Sequence, residues 1–140
     1  MEIKALYYLK DGYIKSYELD TNKTIIMCGI PGAFTGDCTH KHLPGFVNNL
    51  QYLKNKGIDK VVFVGVNDAY VMHEWNKLYG HSDIDCVSDP LAKFAKSIQK
   101  DVDWGESFGV RSHRYAYLIE NGKITKEFSD PLIEGVKKEL

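Results

Sequence analysis

Cysteine is scarce and irregularly placed in this chain: three residues, Cys28, Cys38 and Cys86, among 140. An odd number without regular spacing excludes a disulfide framework. Reduced thiols in an intracellular, cytoplasmic setting are expected instead. No spacing among cysteines and histidines matches a zinc site, so no metal is expected. No apolar run approaches the length of a membrane span, which argues against a membrane protein. The start, Met-Glu-Ile-Lys-Ala-Leu-Tyr-Tyr-Leu-Lys, lacks the cationic segment, long apolar core and small-residue cleavage site of a secretory leader. Neither sign of charge dominates: the formal net charge of -1 argues against a general binder of nucleic acid or anionic membranes. Internal repeats, low-complexity segments and linkers are also missing. What remains is an ordinary soluble composition in a chain that fits a single domain, residues 1–140, and can bury a core without disulfide staples.

Turn and strand signals then divide the chain. Residues 2–18 read as a β-hairpin around Asp11-Gly12. Residues 24–29 form a short, almost wholly apolar run, as expected of a strand covered on both faces. A helix is predicted from Asp37 or Cys38 to about Lys56, with Phe46, Val47, Leu50 and Leu53 as its buried stripe, Gly57 as its stop and a kink at Pro44. A second buried strand, 61–66, precedes a helix capped by Asn67 or Asp68 and running roughly to Tyr79. A weaker strand covers 84–88. Asp89-Pro90 reads as a cap followed by proline at the first helical position, opening a helix to about Gln99. Residues 100–112 read as a loop. A second hairpin pairs 113–119 with 123–128 across Asn121-Gly122, and Asp130-Pro131 opens a terminal helix. This alternation implies an α/β fold with a largely parallel central sheet and helices on both faces, made mixed by the terminal hairpin.

The chemistry concentrates in Gly29-Ile-Pro-Gly-Ala-Phe-Thr-Gly-Asp-Cys-Thr-His-Lys-His-Leu-Pro-Gly-Phe46. Cys38 stands where a strand gives way to a helix, so backbone N–H groups without helical partners and the positive end of the helix dipole favour a thiolate there. A free cysteine is more often a small buried hydrophobe. The polar neighbours Thr35, Asp37, Thr39 and His40 argue for partial exposure and a reactive nucleophile. Asp37 acts against a thiolate unless it turns outward to cap the helix. Thr35, otherwise a turn or cap residue, can reach the sulfur or a bound oxygen atom. Arg111 and Arg114 precede the penultimate strand. Each reads as solvated charge, or, for Arg114, as a permanent cation able to stabilise a thiolate and a developing oxyanion. His42, one helical turn beyond Cys38, reads as a surface or supporting histidine before it reads as the base of a cysteine hydrolase. Cys28 lies in an apolar strand. Cys86 lies in or beside another, either buried or a second redox thiol.

These residues resemble the peroxiredoxins, in particular the type II or type 5 branch. Pro31-Gly-Ala-Phe-Thr35-Gly-Asp-Cys38 is similar to that family's P-x-x-x-T-x-x-C motif. His42-Leu-Pro-Gly-Phe46, Val66-Asn-Asp-Ala-Tyr-Val71 with Glu74-Trp75, Asp89-Pro90 and Gly109-Val-Arg-Ser-His-Arg114-Tyr also fit, so the likeness runs from about residue 24 to 128. It implies a thioredoxin-like fold with a mixed central sheet flanked by helices. It also implies a thiol-dependent peroxidase without metal or organic cofactor. By resemblance, Cys38 is the peroxidatic cysteine, Thr35 holds the peroxide, Arg114 is the active-site arginine and Pro31 shields the sulfur, with His42 and Arg111 in supporting positions.

The same resemblance implies recycling by a thiol. The type II position for a second cysteine is Phe63 here, and the chain carries no C-terminal resolving cysteine. Cys86 or Cys28 could resolve only if its sulfur reaches Cys38. A one-cysteine cycle drawing on glutathione, glutaredoxin or thioredoxin is therefore expected, in a homodimer. Gly36-Asp37 departs from the proline-containing pair common in the family. This motivates a second expectation, a redox-sensing or partner-binding protein of the same fold with little turnover.

Overall fold

A computed structural model describes residues 3–140, so residue 2 of the predicted first hairpin lies outside the described residues. The hairpin forms from β1 (Tyr7–Lys10) and β2 (Tyr13–Ser16), and Asp11 and Gly12 both take positive φ (54° and 83°), the conformation such a two-residue turn requires. Strands β3 (Ile25–Gly29), β4 (Lys60–Gly65) and β5 (Ile84–Ser88) follow as read from their apolar runs. β8 (Tyr115–Glu120) and β9 (Lys123–Glu127) close on Asn121-Gly122, again at positive φ.

These strands make one seven-stranded sheet in the order β2-β1-β5-β4-β3-β8-β9. Only β3–β4 and β4–β5 pair in parallel; the other neighbours are antiparallel. The sheet is thus mixed, as expected, but not largely parallel: the first hairpin docks antiparallel on β5, a long-range pairing that no local signal announces.

Both faces are covered, which is why the central strands read as unbroken apolar runs. Ile26, Cys28, Val61, Phe63 and Cys86 point to one face, where Leu43, Phe46, Leu50, Leu53, Met72, Trp75, Ile133 and Val136 pack on them. Those residues come from α1 (Leu43–Val47), α2 (Leu50–Asn55), α3 (Ala69–Asn76) and α5 (Ile133–Glu139). Ile25, Met27, Val62, Val64 and Val87 alternate to the other face, covered by Phe94 of α4 (Lys93–Ser97).

Four local expectations are corrected. The predicted helix 37–56 is broken. A π-helical turn, Cys38–His42, closes with the Leu43 N–H donating to the Cys38 carbonyl. Pro44 then falls in the first turn of α1, where its missing N–H needs no partner. The break comes at Asn48-Asn49, where the Asn49 side chain donates to the Gly45 carbonyl (2.7 Å). Second, Asp89 does not flank α4: the helix begins four residues later, after Ala92 in a left-handed conformation (φ 53°). The Asp89 carboxylate reaches across to accept from the Phe94 and Ala95 N–H groups (3.0 and 2.9 Å). It thus satisfies the same orphan donors from farther away. Third, 100–112 is not simply a loop. β6 (Asp101–Asp103) and β7 (Val110–Ser112) pair as a separate antiparallel ribbon. Finally, α3 stops at Asn76 rather than Tyr79, while its cap is Asp68, whose carboxylate accepts from Val71 N–H (2.9 Å).

Candidate active site

The loop between β3 and the π-helical turn lies at the C-terminal ends of the parallel strands. Thr35 sets its geometry: its carbonyl accepts from Thr39 N–H (3.1 Å), starting the helix, and its hydroxyl donates to the Gly32 carbonyl (2.7 Å). The hydroxyl proton is therefore engaged within the loop, which leaves the oxygen's lone pairs free to accept from a bound molecule. Phe34 takes a left-handed backbone (φ 63°), an unfavourable choice for a large residue, and its ring stays half exposed.

Cys38 is fully buried, contrary to the partial exposure expected from its polar neighbours. Of those neighbours Asp37 and His40 face solvent and Thr35 and Thr39 are half-buried, while the cysteine turns inward to join the core cluster that includes Cys28 and Phe63. Asp37 makes no side-chain capping bond. Asp37 thus turns outward into solvent without capping the helix.

Two arginines brace the site from different sides. Arg111, on β7, donates through Nε to the Phe108 carbonyl (2.9 Å) and through Nη1 to the Pro31 carbonyl (3.2 Å). Its guanidinium lies 3.9 Å over the Phe108 ring. The ribbon thereby pins the loop that precedes Cys38. Arg114, just before β8, places Nη1 3.0 Å from His42 Nδ1. His42 belongs to the same π-helical turn as Cys38 and is not a surface residue: it is 1% exposed, with its ring against Phe46 and Phe63. Burial, then the adjacent Arg114 charge, lower its pKa to about 3, against a smaller opposing effect of the Pro131 carbonyl. A base at physiological pH must be able to take a proton, so the hydrolase role for His42 is not supported.

Sequence reasoning missed the braces behind the site. Trp75 Nε1 donates to Thr39 Oγ1 (3.0 Å) and the Tyr79 hydroxyl to the Thr39 carbonyl (3.1 Å), so α3 and the turn after it hold the π-helical turn. Asn67 Oδ1 accepts from Ala33 N–H (2.8 Å). Its own carbonyl accepts from the Ser88 hydroxyl (2.6 Å). Residues 66–75 were read as a capped helix and as a stretch resembling the family, with no signal for these contacts.

The family model described as Redoxin matches residues 8–139. Peroxiredoxin-2C of Oryza sativa subsp. japonica is 37% identical over 114 residues, covering 80% of this chain and 70% of the rice protein. This chain belongs to the peroxiredoxin family.

Other relatives agree. Peroxiredoxin Pen c 3 of Penicillium citrinum is 44% identical over 105 residues, 74% of this chain and 60% of that protein. Reduced Prx3 of Vibrio vulnificus, solved in complex with hydrogen peroxide, superposes with a TM-score of 0.82 at 32% identity, covering 91% of this chain and 87% of that one. The 1-Cys peroxiredoxin of Plasmodium falciparum gives a TM-score of 0.83 at 25% identity, covering 99% and 94%. The fold is thioredoxin-like, and the activity is that of a thiol-dependent peroxidase.

In this peroxiredoxin the other two thiols are core residues. Cys28 pairs in register with Phe63 of β4, and Phe63 with Cys86 of β5. Neighbouring strands lie about 4.8 Å apart, so Cys28 and Cys86 stand roughly 10 Å apart with a phenyl ring between them, beyond disulfide reach. Burial pushes both thiols well above their ordinary pKa. Phe63 occupies the position where the family resemblance places a second cysteine. It is held edge-on by Phe46 and Trp75 as well as His42. Among the described residues no group of three or more acidic, histidine or cysteine side chains is placed to hold a metal ion. No helix among them is long and apolar enough to cross a membrane.

Proposed function

We propose that this peroxiredoxin reduces hydrogen peroxide and small organic hydroperoxides at Cys38 by a one-cysteine cycle. The Cys38 thiolate attacks one oxygen of the O–O bond. The S–O bond forms as the O–O bond breaks, the departing oxygen takes a proton and leaves as water or alcohol, and the sulfur, oxidised by two electrons, becomes a sulfenic acid. An external thiol attacks that sulfur, releasing water and leaving a mixed disulfide; a second thiol restores Cys38. Glutathione, with or without glutaredoxin, or thioredoxin fills this role. Thr35 holds the peroxide, Arg114 and the N–H groups of the first helical turn stabilise charge on the departing oxygen, and Pro31 shields the sulfur.

The observation that carries the one-cysteine reading is the row Cys28–Phe63–Cys86: an aromatic ring fills the second-cysteine position, and both remaining thiols are buried in strands. The full burial of Cys38 favours small peroxides, which need the least displacement of the loop above it. Exposed Phe34 and Leu91, on loops at the C-terminal ends of β3 and β5, support a homodimer through that edge. The three unpaired thiols suit a reducing compartment, which we take to be the cytoplasm. Relatives named as mitochondrial, in rice, and as peroxisomal, in Lipomyces kononenkoae, make organellar sites the alternatives to test.

Intact-mass measurement after one equivalent of peroxide tests the cycle. Gain of one oxygen without glutathione, and one glutathione adduct with it, both lost in Cys38→Ser, is the expected result. Loss of two hydrogens without added thiol indicates an internal disulfide and overturns it. The buried sulfur also favours a second reading, a redox sensor or partner-binding protein. Stoichiometric oxidation of Cys38 with no turnover on glutathione, glutaredoxin or thioredoxin selects that reading.

A further inference from the structure

The seven-stranded sheet ends in two edges, and the chain guards only one of them. On β9, Lys123, Lys126 and Glu127 are charged, Lys126 and Glu127 are tied to Glu139 and Lys100 (3.3 and 2.7 Å), and the ladder to β8 is irregular at Leu118-Ile119. Charge and irregularity of this kind keep an edge from pairing. β2 lacks both. Lys15 is its one charge, all of its residues are exposed, and Tyr13 and Ile14 are exposed by 71% and 50%. The side chains of Tyr13 and Lys15 have no ring, ion-pair or hydrogen-bond partner among the described residues. The hairpin also fixes which backbone groups face out. Tyr17 N–H donates to the Leu6 carbonyl (2.8 Å), and Lys15 and Tyr13 stand opposite Tyr8 and Lys10. By the alternation of an antiparallel ladder, Tyr13 and Lys15 turn their N–H and C=O groups toward β1, while Ile14 and Ser16 turn theirs to the open edge.

We propose that β2 is a docking edge for a second copy of this chain, whose own β2 adds antiparallel about a twofold axis through Ile14. The strand complements itself in that register. Ile14 faces Ile14 of the second copy, and their outward N–H and C=O groups bond reciprocally. Tyr13 faces Lys15, twice by symmetry, in the non-hydrogen-bonded pairs where side chains come closest, so each ammonium lies against a tyrosine ring. Neighbouring registers fail for stated reasons. An axis at Lys15 opposes like charges. An axis at Tyr13 sets Ile14 against Gly12, which lies in the turn at positive φ and outside the strand. An axis between two residues matches an outward-facing residue with an inward-facing one, and the bonds are lost. Ile14 also walls an apolar hollow with Tyr7, Ala69 and Pro90, and the second Ile14 extends that wall. Strand backbone makes this contact, which sets it apart from the loop edge of Phe34 and Leu91. A strand of four residues makes a weak one, with Kd of roughly 10 µM to 1 mM.

The test is sedimentation of the full-length chain at up to about 1 mM, in a Leu91→Asp background that removes the loop contact. A dimer is expected there. Ile14→Lys and Ile14→Glu each set like charges against one another on the axis and are expected to weaken the dimer at least about tenfold. An equimolar mixture of the two variants is expected to recover it, because residue 14 then meets its opposite charge. A monomer in the Leu91→Asp background overturns the proposal. So does a dimer that both Ile14 variants leave unchanged, or a mixture that associates no better than either variant. Growth without a limiting size indicates head-to-tail pairing of β2 with β9 and also overturns it. Amide exchange on the unsubstituted chain gives a readout that no folding defect can obscure. The Ile14 amide is expected to gain at least about twofold protection as the chain is concentrated through its Kd, while those of Tyr13 and Lys15, already bonded to β1, do not change. Ile14 protection that is independent of concentration overturns the proposal.

Discussion

Trp75 donates its indole N–H to Thr39 Oγ1 at 3.0 Å, tying the buried ring of α3 to the residue that follows Cys38. Movement or oxidation at Cys38 should therefore change the Trp75 environment, whereas Trp104 lies on the β6–β7 ribbon and is 41% exposed. Stopped-flow emission is expected to change on mixing with one equivalent of peroxide. The change should vanish in Trp75→Phe and persist in Trp104→Phe. Trp75→Phe also leaves the Thr39 hydroxyl without its donor and is expected to lose about 1–3 kcal/mol of stability in urea unfolding.

Stability should fall with acid through His42. Its folded pKa, about 3, lies below the ordinary 6.5, so the unfolded chain binds the proton more readily. The contribution is fully present above pH 6.5 and is lost progressively as pH falls toward 3, amounting to about 2 kcal/mol by pH 5. Urea titrations at pH 7 and pH 5 measure it. The difference should shrink in His42→Leu, and an unchanged difference would show that His42 is not its source.

Two glycines should respond in opposite ways to alanine. A methyl on Gly29 would overlap the Tyr115 ring, which covers it across the β3–β8 pair. Gly29→Ala is expected to cost about 3 kcal/mol or more, because a packed ring between strands has nowhere to move. A methyl on Gly32 meets the end of the Arg111 side chain at 2.7 Å, a group that can swing away. Gly32→Ala should fold with less than about 1 kcal/mol of change. It should react more slowly with peroxide, because Arg111 releases the Pro31 carbonyl. Thermal unfolding and single-turnover kinetics on the two variants check both halves.

Cys28 and Cys86 should be dispensable for turnover. Cys86→Ala is expected to keep thiol-dependent peroxide consumption within about twofold, at a stability cost of about 1 kcal/mol for the lost packing. Consumption that collapses in this variant while its fold is intact would return Cys86 to the cycle as a resolving thiol.

Much of this was legible because it is local. Asp11-Gly12 and Asn121-Gly122 each accept the positive φ of a tight turn, so both hairpins could be located from four residues. The alternation of Ile25 to Cys28 between two buried faces left an apolar run of strand length. The spacing of Pro31, Thr35 and Cys38 lies within one loop and one helical start.

The errors share a different origin. Cys38 looked exposed because its neighbours are polar, yet side chains on one turn point in different directions, and the sheet decides which is inside. His42, read as a surface or supporting histidine, is carried inward by the same π-helical turn as Cys38 and packs against Phe46 and Phe63. The pairing of β6 with β7 spans a loop whose own residues signal only turns.

The two hairpins, the central strands and the likeness to the family could be read in the chain alone, and Cys38 singled out as the candidate nucleophile, since each rests on residues close together in sequence. Only the tertiary structure decided that Cys38 is buried, that His42 holds Arg114, that Arg111 pins Pro31 and that Phe63 separates Cys28 from Cys86. Those relations join residues from separate elements, and they exist only once the sheet has set strand order and register.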